Sequence, residues 1–224
     1  MKDIFLLDMD DTLLDFQRAE EAGVLLTLQN AGLSADRAVA KRFHEINDAL
    51  WKALERGEIT RTQIMTRRWK TLYEEYGFSG DPDRAAQFYF EALASFCFPF
   101  EGMEEFLKRL KSAGRVYIVT NGSVYIQRRH LKEGGIEPYC DGVFISDEIG
   151  YNKPTEEFCA YVREHVTAFS PSRAVYLGDS LTADRVCAAR LGVQFVRYLP
   201  RDIEGEGIKS YPEFFNVVRL RGNL

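Results

Sequence analysis

No two of the four cysteines stand in a CxxC pair; Cys97, Cys140, Cys159 and Cys187 are scattered, which argues against a zinc site or a small disulfide framework. They read as reduced, mostly core thiols. Histidine is scarce: His44, His130 and His165 form no HxxxH or HExxH pairing, so no zinc role is expected of them. No apolar run reaches the roughly 18 residues of a membrane helix, and no membrane partner is expected. Basic charge is in deficit, with 29 Lys and Arg against 34 Asp and Glu and a net charge of -5. That balance argues against a nucleic-acid polymer as partner and favours a small molecule. Internal repeats and low-complexity tracts are missing too. Met1-Lys2-Asp3 leads straight into an apolar stretch without a signal-peptide layout, so the cytoplasm is the expected compartment.

What is present suffices for a sizeable core: 46% of the 224 residues are hydrophobic, 16 of them Phe, enough for one domain and an inserted subdomain. Short apolar runs at Ile4–Leu7, Val116–Val119, Gly142–Ile145, Ala174–Leu177 and Gln194–Tyr198 alternate with helical patterns. The alternation predicts an α/β fold, a doubly wound parallel sheet with helices on its faces. Unbroken hydrophobicity in IFLL and VYIV predicts central strands covered on both sides. Between Phe16 and Ser95 no strand candidate occurs, only amphipathic stretches broken near Gly32, Gly57 and the Gly77–Pro82 loop. This predicts an all-helical insertion over 16–97, with the α/β core formed by 1–15 and 98–224. Thr60-Arg-Thr-Gln63 has capping-box spacing and predicts a helix start. Gly114, after EEFLKRLKSA, predicts a left-handed helix cap just before VYIVTNG.

The chemistry gathers at strand ends, where open α/β sheets bind ligands. Asp8-Met9-Asp10-Asp11-Thr12 follows the first strand, and three carboxylates in four residues imply a cation, hydrogen bonds or a shared proton. Alone, the DxD also reads as an acidic turn. A carboxylate attacking a phosphate monoester needs its charge neutralised by a hard ion such as Mg²⁺ and by fixed donors. Thr120-Asn121-Gly122 ends the second strand with a hydroxyl, an amide and backbone N–H groups suited to a phosphate oxygen. Pro154 could aim Lys153 inward as a point charge for phosphate. The fourth strand ends in Gly178-Asp179, with Asp179 the natural further metal ligand. Asp184 reads either as a helix N-terminal charge or as support for the metal site. Each signal is weak alone; their coincidence at four strand ends is the argument.

These four motifs resemble those of the haloacid dehalogenase superfamily across nearly the whole chain. The resemblance implies Asp8 as nucleophile through an aspartyl-phosphate and Asp10 as general acid and then base. It implies Thr120 and Lys153 on the phosphate, and Mg²⁺ held by Asp8, the Met9 carbonyl and Asp179, with Asp10 and Asp184 counted among the metal-site carboxylates. It also implies that the insertion is a cap that closes over the site and selects the substrate. The segment from VTNGSVYIQRRHLKEGG to NKPTEEF is similar to pyrimidine nucleoside 5'-monophosphate phosphatases, which makes a nucleotidase the expected enzyme.

Rival expectations are a sugar-phosphate or phosphoglycolate phosphatase or mutase of the same superfamily, and a catalytically silent phosphate-binding protein. Dehalogenases do not need the second aspartate, so Asp10 argues against that chemistry. Lys41, Lys52 and Lys70 lie in the insertion, but nothing marks any as the imine-forming lysine of phosphonate-cleaving relatives. Phe16, Phe43, Trp51, Arg67, Arg68, Trp69 and Tyr73 in the insertion are expected mostly to pack or face solvent, Trp69 and Tyr73 standing four apart on one helical face.

Overall fold

The computed structural model describes residues 1–200 and 204–220. In chain order the elements are β1 (Ile4–Leu7), α1 (Phe16–Asn30), α2 (Arg37–Glu55), α3 (Arg61–Tyr76), α4 (Pro82–Ser95), α5 (Met103–Ala113), β2 (Arg115–Thr120) and α6 (Val124–Glu133). There follow β3 (Gly142–Ile145), α7 (Ser146–Ile149), α8 (Glu156–His165), β4 (Ala174–Gly178), α9 (Asp184–Leu191), β5 (Gln194–Arg197) and α10 (Tyr211–Val217). They divide into two compact units, Met1–Asp15 with Pro99–Leu224, and Phe16–Phe98.

The first unit is α/β. Its five strands run parallel in the order β3-β2-β1-β4-β5. All four residues of β1 are buried, Ile4 and Leu6 in a cluster with Tyr117, Val119, Phe158 and Tyr176. Phe5 and Leu7 point to the opposite face and are buried as well. Covering both faces is what the unbroken IFLL run encodes, each such side chain contributing about 1.5–3 kcal/mol. The chain lays down β1, β2 and β3 toward one edge, then crosses to β4 and β5 on the other. The direction reverses between β1 and β4, the topological switch point at which such sheets open a crevice.

Gly114 is no left-handed cap. Its φ of 177° is extended, and an added Cβ would stand 2.2 Å from the Asp3 carbonyl oxygen. Glycine is needed there because the end of α5 runs against the start of β1, not because the backbone turns left-handed. Tyr198, expected to close the fifth strand, lies just beyond β5 in an isolated bridge to Ile208.

The second unit is all-helical. Thr60 and Gln63 close a capping box at the start of α3, the Thr60 amide donating to Gln63 Oε1 at 2.8 Å. Phe43, Trp69 and Tyr89 form its aromatic centre, with ring centroids 4.7–5.4 Å apart. Beside them a polar network is buried: Asn47 Nδ2 donates to Glu20 Oε1 at 2.7 Å, and Arg68 donates to Asn47 Oδ1 at 3.1 Å. Arg68, grouped from sequence with packing or solvated residues, is 3% exposed and stacks its guanidinium 4.7 Å above Tyr89. Among the described residues no helix is long and apolar enough to cross a membrane.

Candidate active site

The parallel register brings the reactive residues together. Leu7 pairs with Ile118 of β2 and Leu177 of β4, so the residues that follow in each strand leave the sheet side by side. Asp8 opens the β1 exit and is tied to β4 through its amide, which donates to Leu177 O at 2.9 Å. Lys153 arrives from the loop after α7 and is 3% exposed. Its Nζ donates to Asp8 Oδ1 at 2.6 Å, Asp184 Oδ1 at 2.7 Å and the Val119 carbonyl at 2.8 Å, which uses all three ammonium protons.

Asp8, Asp179 and Asp184 each offer a carboxylate oxygen within 4.8 Å of the others. Three carboxylates against one ammonium leave an excess of negative charge in a buried place. Burial opposes the Lys153 charge, yet Asp184 and Asp8 more than offset it and hold the ammonium above its ordinary range. Burial likewise drives the Asp8 acid up to about 8, with Lys153 pulling it down and Asp184 and Asp10 pushing it further up. Asp179 is raised by burial first and then by Asp184, Asp8 and Asp11. A divalent cation with a preference for oxygen fits this donor set, because it would supply the missing positive charge.

Asp184 opens α9 and spends both oxygens on protein. Oδ1 accepts from Lys153 and the Tyr176 hydroxyl, the latter at 3.1 Å, and Oδ2 accepts from the Ser180 amide at 3.1 Å. Its place is therefore behind the cluster, supporting Lys153.

Three residues named from sequence make hydrogen bonds within the protein. The Met9 carbonyl accepts the Leu13 amide at 2.8 Å and the Leu14 amide at 3.0 Å, so its lone pairs are committed inside the turn that follows β1. Asp10 stands outside the carboxylate cluster: its Oδ2 accepts from Gln127 Nε2 at 2.8 Å. Asn121 is spent on the lysine loop, accepting the Lys153 amide at 2.8 Å and donating to the Lys153 carbonyl at 2.9 Å. That double clamp positions Lys153. The Lys153-Pro154 peptide it holds is cis.

The buried oxygens with no hydrogen-bond partner among the described residues include Thr120 Oγ1 and Asp10 Oδ1. Thr120 ends β2 and is 1% exposed, and Gly122 follows two residues on, ahead of α6. An orphaned hydroxyl and an orphaned carboxyl oxygen at neighbouring strand ends are unstable without a partner and suit a ligand with oxygens to accept and release protons. The arrangement can hold a phosphoryl group, activate a carboxylate against it and exchange a proton beside it.

Sequence reading missed several residues that shape the site. Gln127 on α6 and Tyr176 on β4 fix Asp10 and Asp184. Tyr211 on α10 donates to the Thr12 carbonyl at 2.9 Å and so braces the Asp8–Leu14 turn from 199 residues away. Asp11, in that turn, takes a positive φ of 57°. Ordinary helix and strand positions carry no local mark of such roles.

The chain is 34% identical to HAD-hydrolase YfnB of Bacillus subtilis over 179 residues, 80% of this chain and 76% of that one. A crystal structure of YfnB bound to magnesium superposes with a TM-score of 0.90 at 29% identity, covering 96% of this chain and 98% of YfnB. The chain is 32% identical to pyrimidine 5'-nucleotidase PynA of Streptococcus pneumoniae over 200 residues, 89% of this chain and 84% of PynA. It is also 27% identical to glyceraldehyde 3-phosphate phosphatase of Methanopyrus kandleri over 219 residues, 93% of this chain and 90% of the relative. Residues 2–192, which span all four strand-end motifs, match the haloacid dehalogenase-like hydrolase family, and the chain belongs to that family.

Proposed function

We propose that the protein is a Mg²⁺-dependent phosphatase of small phosphate monoesters, acting through an aspartyl-phosphate on Asp8, and that its substrate is a pyrimidine nucleoside 5'-monophosphate. The observation that carries the phosphatase reading is the buried Lys153 ammonium bridging Asp8 and Asp184, with Asp179 close by. Asp8 and Asp179 would hold Mg²⁺, with Asp184 behind them; the ion would neutralise the charge of the phosphate and of the carboxylates. Thr120 Oγ1 then donates to one phosphate oxygen, and Lys153 Nζ to another by turning to it the proton that it holds on Asp8 Oδ1. An Asp8 oxygen attacks phosphorus, the bond to the leaving oxygen breaks, and Asp10 gives that oxygen a proton. Water next attacks the aspartyl-phosphate as Asp10 takes its proton back, and inorganic phosphate leaves with Asp8 restored.

The helical unit 16–98 would act as the cap that selects the substrate. The likeness to PynA supports the nucleotide reading. The likeness to glyceraldehyde 3-phosphate phosphatase supports a second, a sugar-phosphate substrate on the same chemistry. The four cysteines are scattered without a CxxC pair, which favours a reducing compartment, and the cytoplasm is the compartment we propose.

The test is phosphate release from nucleoside monophosphates, sugar phosphates and phosphoglycolate with Mg²⁺ supplied, Asp8→Asn serving as control. Preferential hydrolysis of uridine or thymidine monophosphate is expected. Preference for a non-nucleotide ester would replace the substrate and keep the reaction; silence on every ester would leave a phosphate-binding protein.

A further inference from the structure

We propose that Gln127 is the positioning residue for proton transfer: it holds Asp10 by one oxygen and so makes Oδ1 the oxygen that exchanges a proton with the leaving group and with water. The inference rests on the reaction proposed above and adds a residue outside its strand-end motifs.

Gln127 lies in the first turn of α6, seven residues after Thr120, and is 2% exposed. Its Nε2 donates to Asp10 Oδ2 at 2.8 Å across 117 residues of sequence. Gln127 Oε1 has no hydrogen-bond partner among the described residues, so the amide is held there through its N–H side. On Asp10 the opposite oxygen, Oδ1, is buried and unpartnered. A carboxyl group that accepts a fixed N–H on one oxygen carries its proton on the other, because Oδ2 already has a donor directed at it. Packing enforces the arrangement. A Cβ at residue 122 would come within 2.0 Å of Gln127 Nε2, so the glycine of the Thr120-Asn121-Gly122 turn makes room for the amide to reach Asp10. A carboxyl group with one oxygen fixed and the other buried and unpartnered is suited to give and take a proton at the second.

A packing role for Gln127 would affect all substrates alike; a role in proton transfer would not. The experiment therefore compares two esters of similar size on the whole chain with Mg²⁺. The p-nitrophenolate of p-nitrophenyl phosphate departs without a proton, whereas the alkoxide of benzyl phosphate must be protonated as the bond breaks. The value of kcat/KM covers the steps through formation of the aspartyl-phosphate and isolates the acid step. Gln127→Met, close in shape and lacking the N–H, should lower kcat/KM on benzyl phosphate by about 10- to 100-fold and on p-nitrophenyl phosphate by less than about threefold. In an Asp10→Asn background the same substitution should cost nothing further on benzyl phosphate, the mark of two residues acting as one unit. If Gln127→Met does not fold, Gln127→Asn, which draws the amide back by one carbon, carries the same expectation.

Equal losses on both esters, or a full additional loss in the double variant, would overturn the inference and leave Gln127 as packing. If the parent chain discriminates between the esters only after Asp10→Asn and Gln127→Met changes nothing, the inference falls alone. If Asp8→Asn keeps its turnover, the proposed reaction falls, and the inference with it.

Discussion

Both units of this chain bury charge, and they do so on opposite terms. In the helical unit one carboxylate, Glu20, and one guanidinium, Arg68, are joined through Asn47, and His44 Nδ1 meets the second Glu20 oxygen at 2.6 Å. Opposite charges are matched there, and aromatic rings cover the guanidinium. In the α/β unit one ammonium faces Asp8 and Asp184 directly, Asp179 crowds the same place, and a threonine hydroxyl and an aspartate oxygen lack partners among the described residues. Buried charge of both signs in balance stabilises a particular packing. Buried charge of one sign in excess, with orphaned oxygens beside it, marks a candidate site. The first is a local solution; the second costs stability, which the cation and phosphate of the proposed reaction would offset.

Substitutions sharpen that contrast. The largest effect is expected from Asp8→Asn, which keeps the shape and removes the nucleophile; phosphate release should fall by at least about 10⁴-fold, near 5.5 kcal/mol of barrier. Asn47→Leu should come next and act on stability, because it orphans Glu20 Oε1 and an Arg68 N–H together; denaturant unfolding should show a loss of about 3 kcal/mol. Magnesium at a hundred times its dissociation constant should stabilise the parent chain by about 2.7 kcal/mol in thermal unfolding. That gain should vanish in Asp179→Ala and persist in Asn47→Leu, which separates the two buried networks. Asn121→Ala should have the smallest effect, about tenfold in kcat/KM, since it loosens the clamp on the Lys153 backbone and leaves the ammonium and both carboxylates in place. Equal magnesium stabilisation with and without Asp179 would erase the distinction between the units.

The fold was largely legible because its strands are short, apolar and buried on both faces, so IFLL and VYIV announce themselves without any tertiary information. Boundaries moved by a residue or two, as at Tyr198, where ladder pairing rather than composition decides the end. The Thr60–Gln63 cap was readable because capping is local chemistry. Gly114 was recognised as necessary for the wrong reason, since a close approach to Asp3 leaves no trace in its immediate neighbours.

The site divides in the same way. Its charged residues stand in motifs and can be named from sequence, and the structure brings Asp8, Lys153, Asp179 and Asp184 together. The destinations of hydrogen bonds were not legible. Met9 turns its carbonyl into its own loop, Asn121 serves the lysine backbone, and Asp10 is drawn to a glutamine on another element. Gln127 and Tyr211 act across 117 and 199 residues of sequence, and nothing in their surroundings distinguishes them from surface-helix residues.

The central claim is that Asp8 carries the phosphoryl group. Acid quenching of the whole chain during turnover of a phosphate monoester with Mg²⁺, followed by intact-mass and peptide analysis, tests it most directly. The account predicts one added phosphoryl group on the peptide holding Asp8, missing in Asp8→Asn and in chelator. Steady turnover with the phosphoryl group on another residue, or turnover that survives Asp8→Asn, would contradict it.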